Sequence, residues 1–527
     1  MSKLHLHSII DLGRNHPIRR SAGVGLAAVV ALQVLGSHAV AASASGEDWS
    51  QYLHDGAHSG FTSETLINQS NAASLNVETG WPVSFDNGAV CPSSNDYCSS
   101  TVAAQPTVAT VGGNRLVFVG TWNGSEYALC ASSCTVGSNS YTSGQVVWST
   151  YVGRTSGCGG PTNSRIAGVT DAAAVGTATI SSVVHTVVYV GAGGDIALDG
   201  SVIPNATSQL FALDAVSGAV LWHTALGSAP NHYLWSSPVL ANASLYIGMA
   251  SDDDCPLIRG GVVQLDPNTG NVLHQFSTVP SGCIGASVWG SPTVDAVGNV
   301  YVATGNGGTC SVSEPYAVAV LKLSATLGLL SHWQVPLKQR LSDGDFGNTP
   351  TLFSGTVSLT GTLRSLLGVA NKNGLYYVFD TTKLGAGPVK QLRVAVGGND
   401  PETGGGSISP SSWDGTRIYV AGGTTTIGGT NYQGSLRAFN PNKLGAGPVW
   451  ATGFRGGPVL GAVASDPGLV AVGAGAFSMV VNSANGTVLF TAVASGFYGA
   501  PSIAYGVIYE GDTSQVGELH AFSVNGL

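Results

Sequence analysis

The chain has 527 residues, of which 74 are glycine, 43% are hydrophobic and only 9% are charged. That composition describes a large, glycine-punctuated folded protein and excludes a disordered or coiled-coil chain. The formal charge of -9 lacks the basic footprint of a nucleic-acid binder, so no nucleic-acid partner is expected.

Residues 1–41 read as an export signal. "RNHPIRR" is a basic segment, "SAGVGLAAVVALQVLG" an apolar one, and "AVAASA" a run of small residues suited to cleavage near Ala41. A secreted or extracytoplasmic protein starting around Ala42 is therefore expected. The alternative is an N-terminal anchor, and Arg19–Arg20 permits a twin-arginine route. No later segment is long and apolar enough to span a bilayer once the signal is removed. Residues 42–75 read as an N-terminal extension and residues 76–527 as one domain.

All eight cysteines follow the predicted cleavage point: Cys91, Cys98, Cys130, Cys134, Cys158, Cys255, Cys283 and Cys310. An even number in an exported chain points to disulfides. Cys91 with Cys98 and Cys130 with Cys134 are the expected local bridges.

From about residue 125 onward one phrase recurs: an apolar run, an Asp or Asn, a short turn ending in Gly, then a second apolar run often holding Trp. "QLFALDAVSGAVLWHT", "GVVQLDPNTGNVLHQF", "GSLRAFNPNKLGAGPVWAT" and "FSMVVNSANGTVLFTA" are examples. Each reads as a β-hairpin, the Asp or Asn and Gly supplying the turn. A second hairpin precedes each, as in "SSPVLANASLYIGMAS" and "GSPTVDAVGNVYVATG". Four strands per period of about fifty residues, repeated about eight times, predict an all-β chain. The expected architecture is an eight-bladed β-propeller of four-stranded antiparallel blades. The last unit lacks its outer strand, and "NVETGWPVSF", Asn76 to Phe85, is predicted to supply it and close the ring.

Chemistry in such a ring belongs at the channel mouth formed by the loops entering each inner strand and those joining second to third strands. There the sequence reads "RTSGCGGPTNSRIAG", "SDDDCPLIRGG", "TGNGGTCSVSEPY", "LSDGDFGNTP" and "ANKNG". Cys158, Cys255, Cys283 and Cys310 fall in or beside these loops and are expected to pair across the mouth.

At these loops the chain resembles the quinoprotein alcohol dehydrogenases, propellers that bind pyrroloquinoline quinone (PQQ) and calcium. The resemblance implies PQQ and Ca²⁺ as cofactors. It likens Trp289 of "GASVWGSPTV" to the indole under the quinone and Asn306 of "TGN" to a calcium ligand. In "SDDDCPLIRGG" it implies an acidic ligand among Asp252, Asp253 and Asp254, ahead of Arg259. Lys372 of "NKNG" matches the basic residue on the quinone oxygens, and Arg165 an arginine on a cofactor carboxylate. The chain departs from the pattern in three places. Cys158 stands alone where the family has adjacent cysteines, the Trp-rich loop after "TGN" is missing, and "CSVSEPY" replaces the turn expected to carry the catalytic Asp. Glu314, Asp343 and Asp345 are then the candidates for the proton-accepting base. The reading implies a small alcohol or polyol substrate and, with no fused cytochrome in the sequence, a separate electron acceptor. The alternative is a non-catalytic propeller whose mouth binds a protein or glycan.

Overall fold

The computed structural model describes residues 45–90, 100–157, 166–254, 256–308, 310, 312–514 and 517–527. These form eight antiparallel sheets of four or five strands, in chain order. Blade 1 occupies residues 107–151, blade 2 residues 174–228, blade 3 residues 239–277 and blade 4 residues 293–334. Blade 5 follows at 351–393, blade 6 at 412–454, blade 7 at 464–493 and blade 8 at 502–524. The only helical pieces among the described residues are three-residue 3₁₀ turns. The eight-bladed propeller read from the repeats is thus the observed fold.

Ring closure follows the expected route. Leu75–Val77 pairs antiparallel with the third strand of blade 8, Leu75 opposite Val524, and Val83–Ser84 pairs further along the same strand. The last blade thereby gains its outer strand from the start of the fold, and no inter-strand edge is left open at the seam.

The repeated Trp and Gly have one packing explanation. Trp148, in the outer strand of blade 1, donates its Nε1 to Ala215 O in the hairpin turn of blade 2, and Thr150 donates to Gly218 O. The same pair of bonds recurs from Trp222 and Thr224 to Pro267 and Gly270, and from Trp450 and Thr452 to Ser483 and Gly486. At each turn the glycine has φ between 71° and 79°, and a Cβ there would meet the preceding blade's indole at 2.6–2.9 Å. Glycine is needed both for the left-handed backbone and for the space. The Trp-x-Thr of one blade and the turn glycine of the next therefore form an interlocking step between blades.

The extension forms an inner strap. Trp49 exchanges two backbone bonds of 2.9 Å with Val108 of blade 1, Ser50 O accepts from Val175 of blade 2, and the Gln51 side chain accepts from Leu240 of blade 3. Gly56, Ala57, Ser59 and Gly60 carbonyls then accept from Val294, Leu352, Trp413 and Ser465, in blades 4 to 7. Glu64 ends the circuit by accepting from Tyr505 and Gly506 of blade 8. A stretch of sixteen residues, 49–64, thus meets all eight blades in order and satisfies backbone donors that face the channel.

Among the described residues, Cys130 and Cys134 are bridged within blade 1 and Cys283 is bridged to Cys310. Cys91, Cys98, Cys158 and Cys255 lie outside the described residues, as do residues 1–41, expected to be an export signal, and Arg165. No helix of the described residues is long and apolar enough to cross a membrane.

Candidate functional site

A cavity of about 560 Å³ opens at the mouth predicted from the loops, within the usual size range of ligand sites. Its wall includes Asp252, Asp253, Asp254, Asn306, Asp343, Asp345 and Lys372, and its floor includes Trp289, Trp235 and Ile408. The same three floor residues also line a smaller void of about 200 Å³ in the channel beneath, so they partition the channel.

Each charged group is set by a turn. Lys372 lies in the turn Asn371–Gly374, where Gly374 N donates to Asn371 O and Gly374 adopts φ 80°. Asn371 Nδ2 holds the carbonyls of Gly344 and Asp345 at 2.8 Å, which locks the aspartate loop against the lysine turn. Buried Phe346 anchors that loop from below and contacts Tyr377 at 5.9 Å between ring centroids. Asn306 follows a second strand of blade 4, in the segment bracketed by the Cys283–Cys310 bridge.

The side chains form one network. Lys372 Nζ lies 2.9 Å from Asp343 Oδ2, 3.4 Å from Asp345 Oδ2 and 5.7 Å from the Trp289 ring centroid. Asn306 Nδ2 donates to Asp343 Oδ1 at 2.6 Å, and its backbone N–H donates to Asp345 Oδ1 at 2.8 Å. Burial pushes the Asp345 carboxyl up to about 6; Lys372 opposes the rise, while Asp343 and Asp254 add to it. Asp254 is raised by burial and by Asp343. Burial disfavours the Lys372 ammonium, but Asp345 and Asp343 outweigh it, so the net shift is upward and the lysine stays charged.

Three acidic side chains therefore face one cation. Their surplus negative charge and the amide of Asn306 make a hard-oxygen donor set of the kind that suits Ca²⁺. The floor suits a flat ring: a Cβ added to Gly347 would overlap the edge of the Trp289 indole, so glycine there lets the indole lie in the floor. The residues present thus fit both groups implied by the sequence resemblance.

Other expected residues are placed differently. Glu314 is absent from the cavity lining; it sits against Gly307, with Oε1 buried and without a hydrogen-bond partner, and burial raises its carboxyl. Arg259 turns away to the Val279 carbonyl. The sequence reading missed Trp235, whose indole donates to the carbonyls of Ser251 and Asp252 and so holds the acidic loop to the floor. Its signal was present, because Trp235 precedes "SSPV" as Trp289 precedes "GSPT" one blade later. Asn399, Asp400 and Glu402 on the cavity wall were also missed.

Comparison with known proteins points the same way. A PQQ-repeat family model described as "Outer membrane protein assembly factor BamB" matches residues 132–319. A polyvinylalcohol dehydrogenase of Pseudomonas sp is 30% identical over 125 residues, 19% of this chain and 20% of that protein. Quinohemoprotein alcohol dehydrogenase ADH IIB of Pseudomonas putida is 27% identical over 210 residues, 33% of this chain and 30% of that protein. The chain thus spans a third or less of the length of these relatives. In fold, the quinohemoprotein alcohol dehydrogenase of Comamonas testosteroni superposes with a TM-score of 0.62 at 18% identity, over 91% of this chain and 81% of that one. A europium-containing methanol dehydrogenase gives a TM-score of 0.63 at 16% identity, over 90% of this chain and 98% of that one. The chain is thus an eight-bladed propeller that resembles the quinoprotein dehydrogenases in fold and matches a PQQ-repeat family model over residues 132–319.

Proposed function

We propose that the chain is a PQQ-dependent dehydrogenase of alcohols or polyols that uses a hard divalent cation. The observation that carries this reading is the Lys372, Asp343, Asp345 and Asn306 network standing over the Trp289 floor. Trp289 would stack under the quinone, Asp254, Asn306 and Asp343 would hold Ca²⁺, and Asp253 stands beside them as a further ligand. Arg165, outside the described residues, is retained as the partner for a cofactor carboxylate. Two-electron oxidation at the quinone, with the cation as Lewis acid, is the chemistry this pair supplies when bound.

The chain's own residues then divide the remaining work. Asp345 is buried and held by Asn306 N–H and Lys372, and it would take the alcohol proton. Lys372, kept charged by the two aspartates, offers a positive group where negative charge grows on an oxygen above Trp289. Trp235 and Ile408 complete an apolar floor, and the wall's acidic side chains disfavour anionic substrates. Disulfides and the export reading of residues 1–41 support an extracytoplasmic location. The electron acceptor would be a separate molecule.

The test is dye-linked oxidation of a panel of primary alcohols and polyols by the chain loaded with PQQ and Ca²⁺. Turnover that depends on both additions supports the reading. Saturated binding of both with no turnover of any alcohol contradicts the dehydrogenase assignment and favours a binding propeller.

A further inference from the structure

A second cluster of ligand-bearing side chains lies on blade 8, apart from the cavity lining. Asp512 follows the second strand, Val507–Gly511, while Glu518 and His520 lie on the third, Glu518–Val524. His520 Nε2 is 3.9 Å from Asp512 Oδ2 and 3.8 Å from Glu518 Oε2, and the three candidate ligand atoms all lie within 4.8 Å of one another.

Two features separate this group from an ordinary acidic surface loop. The His520 side chain is 9% exposed, and its Nε2 is buried with no hydrogen-bond partner while facing both carboxylates. A buried imidazole nitrogen left unpaired is unfavourable unless something fills the gap. The ring is also fixed from both sides: it stacks on Phe522 at 11° between planes and meets Phe497 edge-on at 5.1 Å. Asp512 is oriented by the backbone N–H groups of Ser514 at 2.6 Å and Ser495 at 3.2 Å, and Glu518 Oε1 accepts from Ser84 at 3.2 Å.

Separations of 3.8 and 3.9 Å are too long for hydrogen bonds, yet ligand atoms around a tetrahedral zinc stand roughly 3.3 Å apart. Small side-chain rotations would close that difference. We propose that Asp512, Glu518 and His520 bind a divalent transition cation of the zinc class. One imidazole with two carboxylates selects zinc over calcium, whose sites are all-oxygen. Water would complete the coordination. Because Ser84 belongs to the closing strand Val83–Ser84, which pairs with Leu519 and Glu518, the cation would brace the seam where the ring closes.

The experiment uses the mature chain stripped with chelator, then equilibrated with Zn²⁺ in excess Ca²⁺ so that the all-oxygen cavity is occupied by calcium. After gel filtration the expected content is one zinc per chain, with a thermal midpoint that rises on zinc addition. Asp345→Asn should retain that zinc. His520→Ala and the more exposed Glu518→Gln should each weaken zinc binding about tenfold or more and lose the thermal response. No retained zinc in the unaltered chain, or undiminished zinc in both variants, overturns the site.

Discussion

Lys372 holds its ammonium 5.7 Å from the centroid of the Trp289 ring while touching Asp343 at 2.9 Å. The two residues come from consecutive blades, whose side-by-side packing sets the blade 5 turn beside the segment that leads into blade 4. The side chain is 10% exposed, so its charge acts in a poorly screened space. Lys372→Met keeps the length and removes the charge. It is expected to lower dye-linked kcat by about a hundredfold or more while leaving the far-ultraviolet circular dichroism unchanged.

Two of the three base candidates, Asp345 and Glu314, are separated by substitution. Asp345→Asn preserves the acceptor oxygen for Asn306 N–H but removes the base, and kcat should fall about 10²–10⁴-fold with quinone affinity changed far less. Glu314→Gln, outside the cavity lining, should stay within about twofold of the unaltered chain by the same assay. Equal losses in both would contradict the assignment of Asp345.

Much of this was legible before any coordinates. The hairpin phrase and its turn glycines specify local structure, and Trp-x-Thr marks an inter-blade contact, so the repeat predicted the blades and even the closing strand. Lys372, Asn306 and Trp289 were legible because each lies in a short motif at a fixed place in its blade. The choice of base was not, since Glu314, Asp343 and Asp345 are all carboxylates in mouth loops. The fold separates them: Asp343 and Asp345 line the cavity beside Lys372, and Glu314 packs against Gly307 outside the lining. The strap was equally hidden, because residues 49–64 use backbone carbonyls and carry no periodic pattern.

That strap carries a stability prediction. Trp49 is fully buried and forms the first backbone pair with blade 1. Trp49→Ala should cost about 3–5 kcal/mol, measured by denaturant unfolding.

Glu510 supplies a pH test. Burial pushes its carboxyl up to about 8, and the nearby Ser478 hydroxyl offsets only part of the rise. In the unfolded chain the group titrates near 4.5, so the folded state holds an extra proton between these values. Stability from this group is therefore full below about pH 4.5 and is lost as pH rises toward 8. Glu510→Gln should gain relative to the unaltered chain by roughly 3–5 kcal/mol at pH 8.5 and far less at pH 5, read from unfolding curves at both.

The central claim is tested most directly by titrating the calcium-loaded chain with PQQ while following absorbance and tryptophan fluorescence. The account predicts saturation at one quinone per chain, abolished by chelator and weakened by Trp289→Ala and by Gly347→Val, whose side chain would displace the indole. Absence of binding at high quinone excess would contradict it.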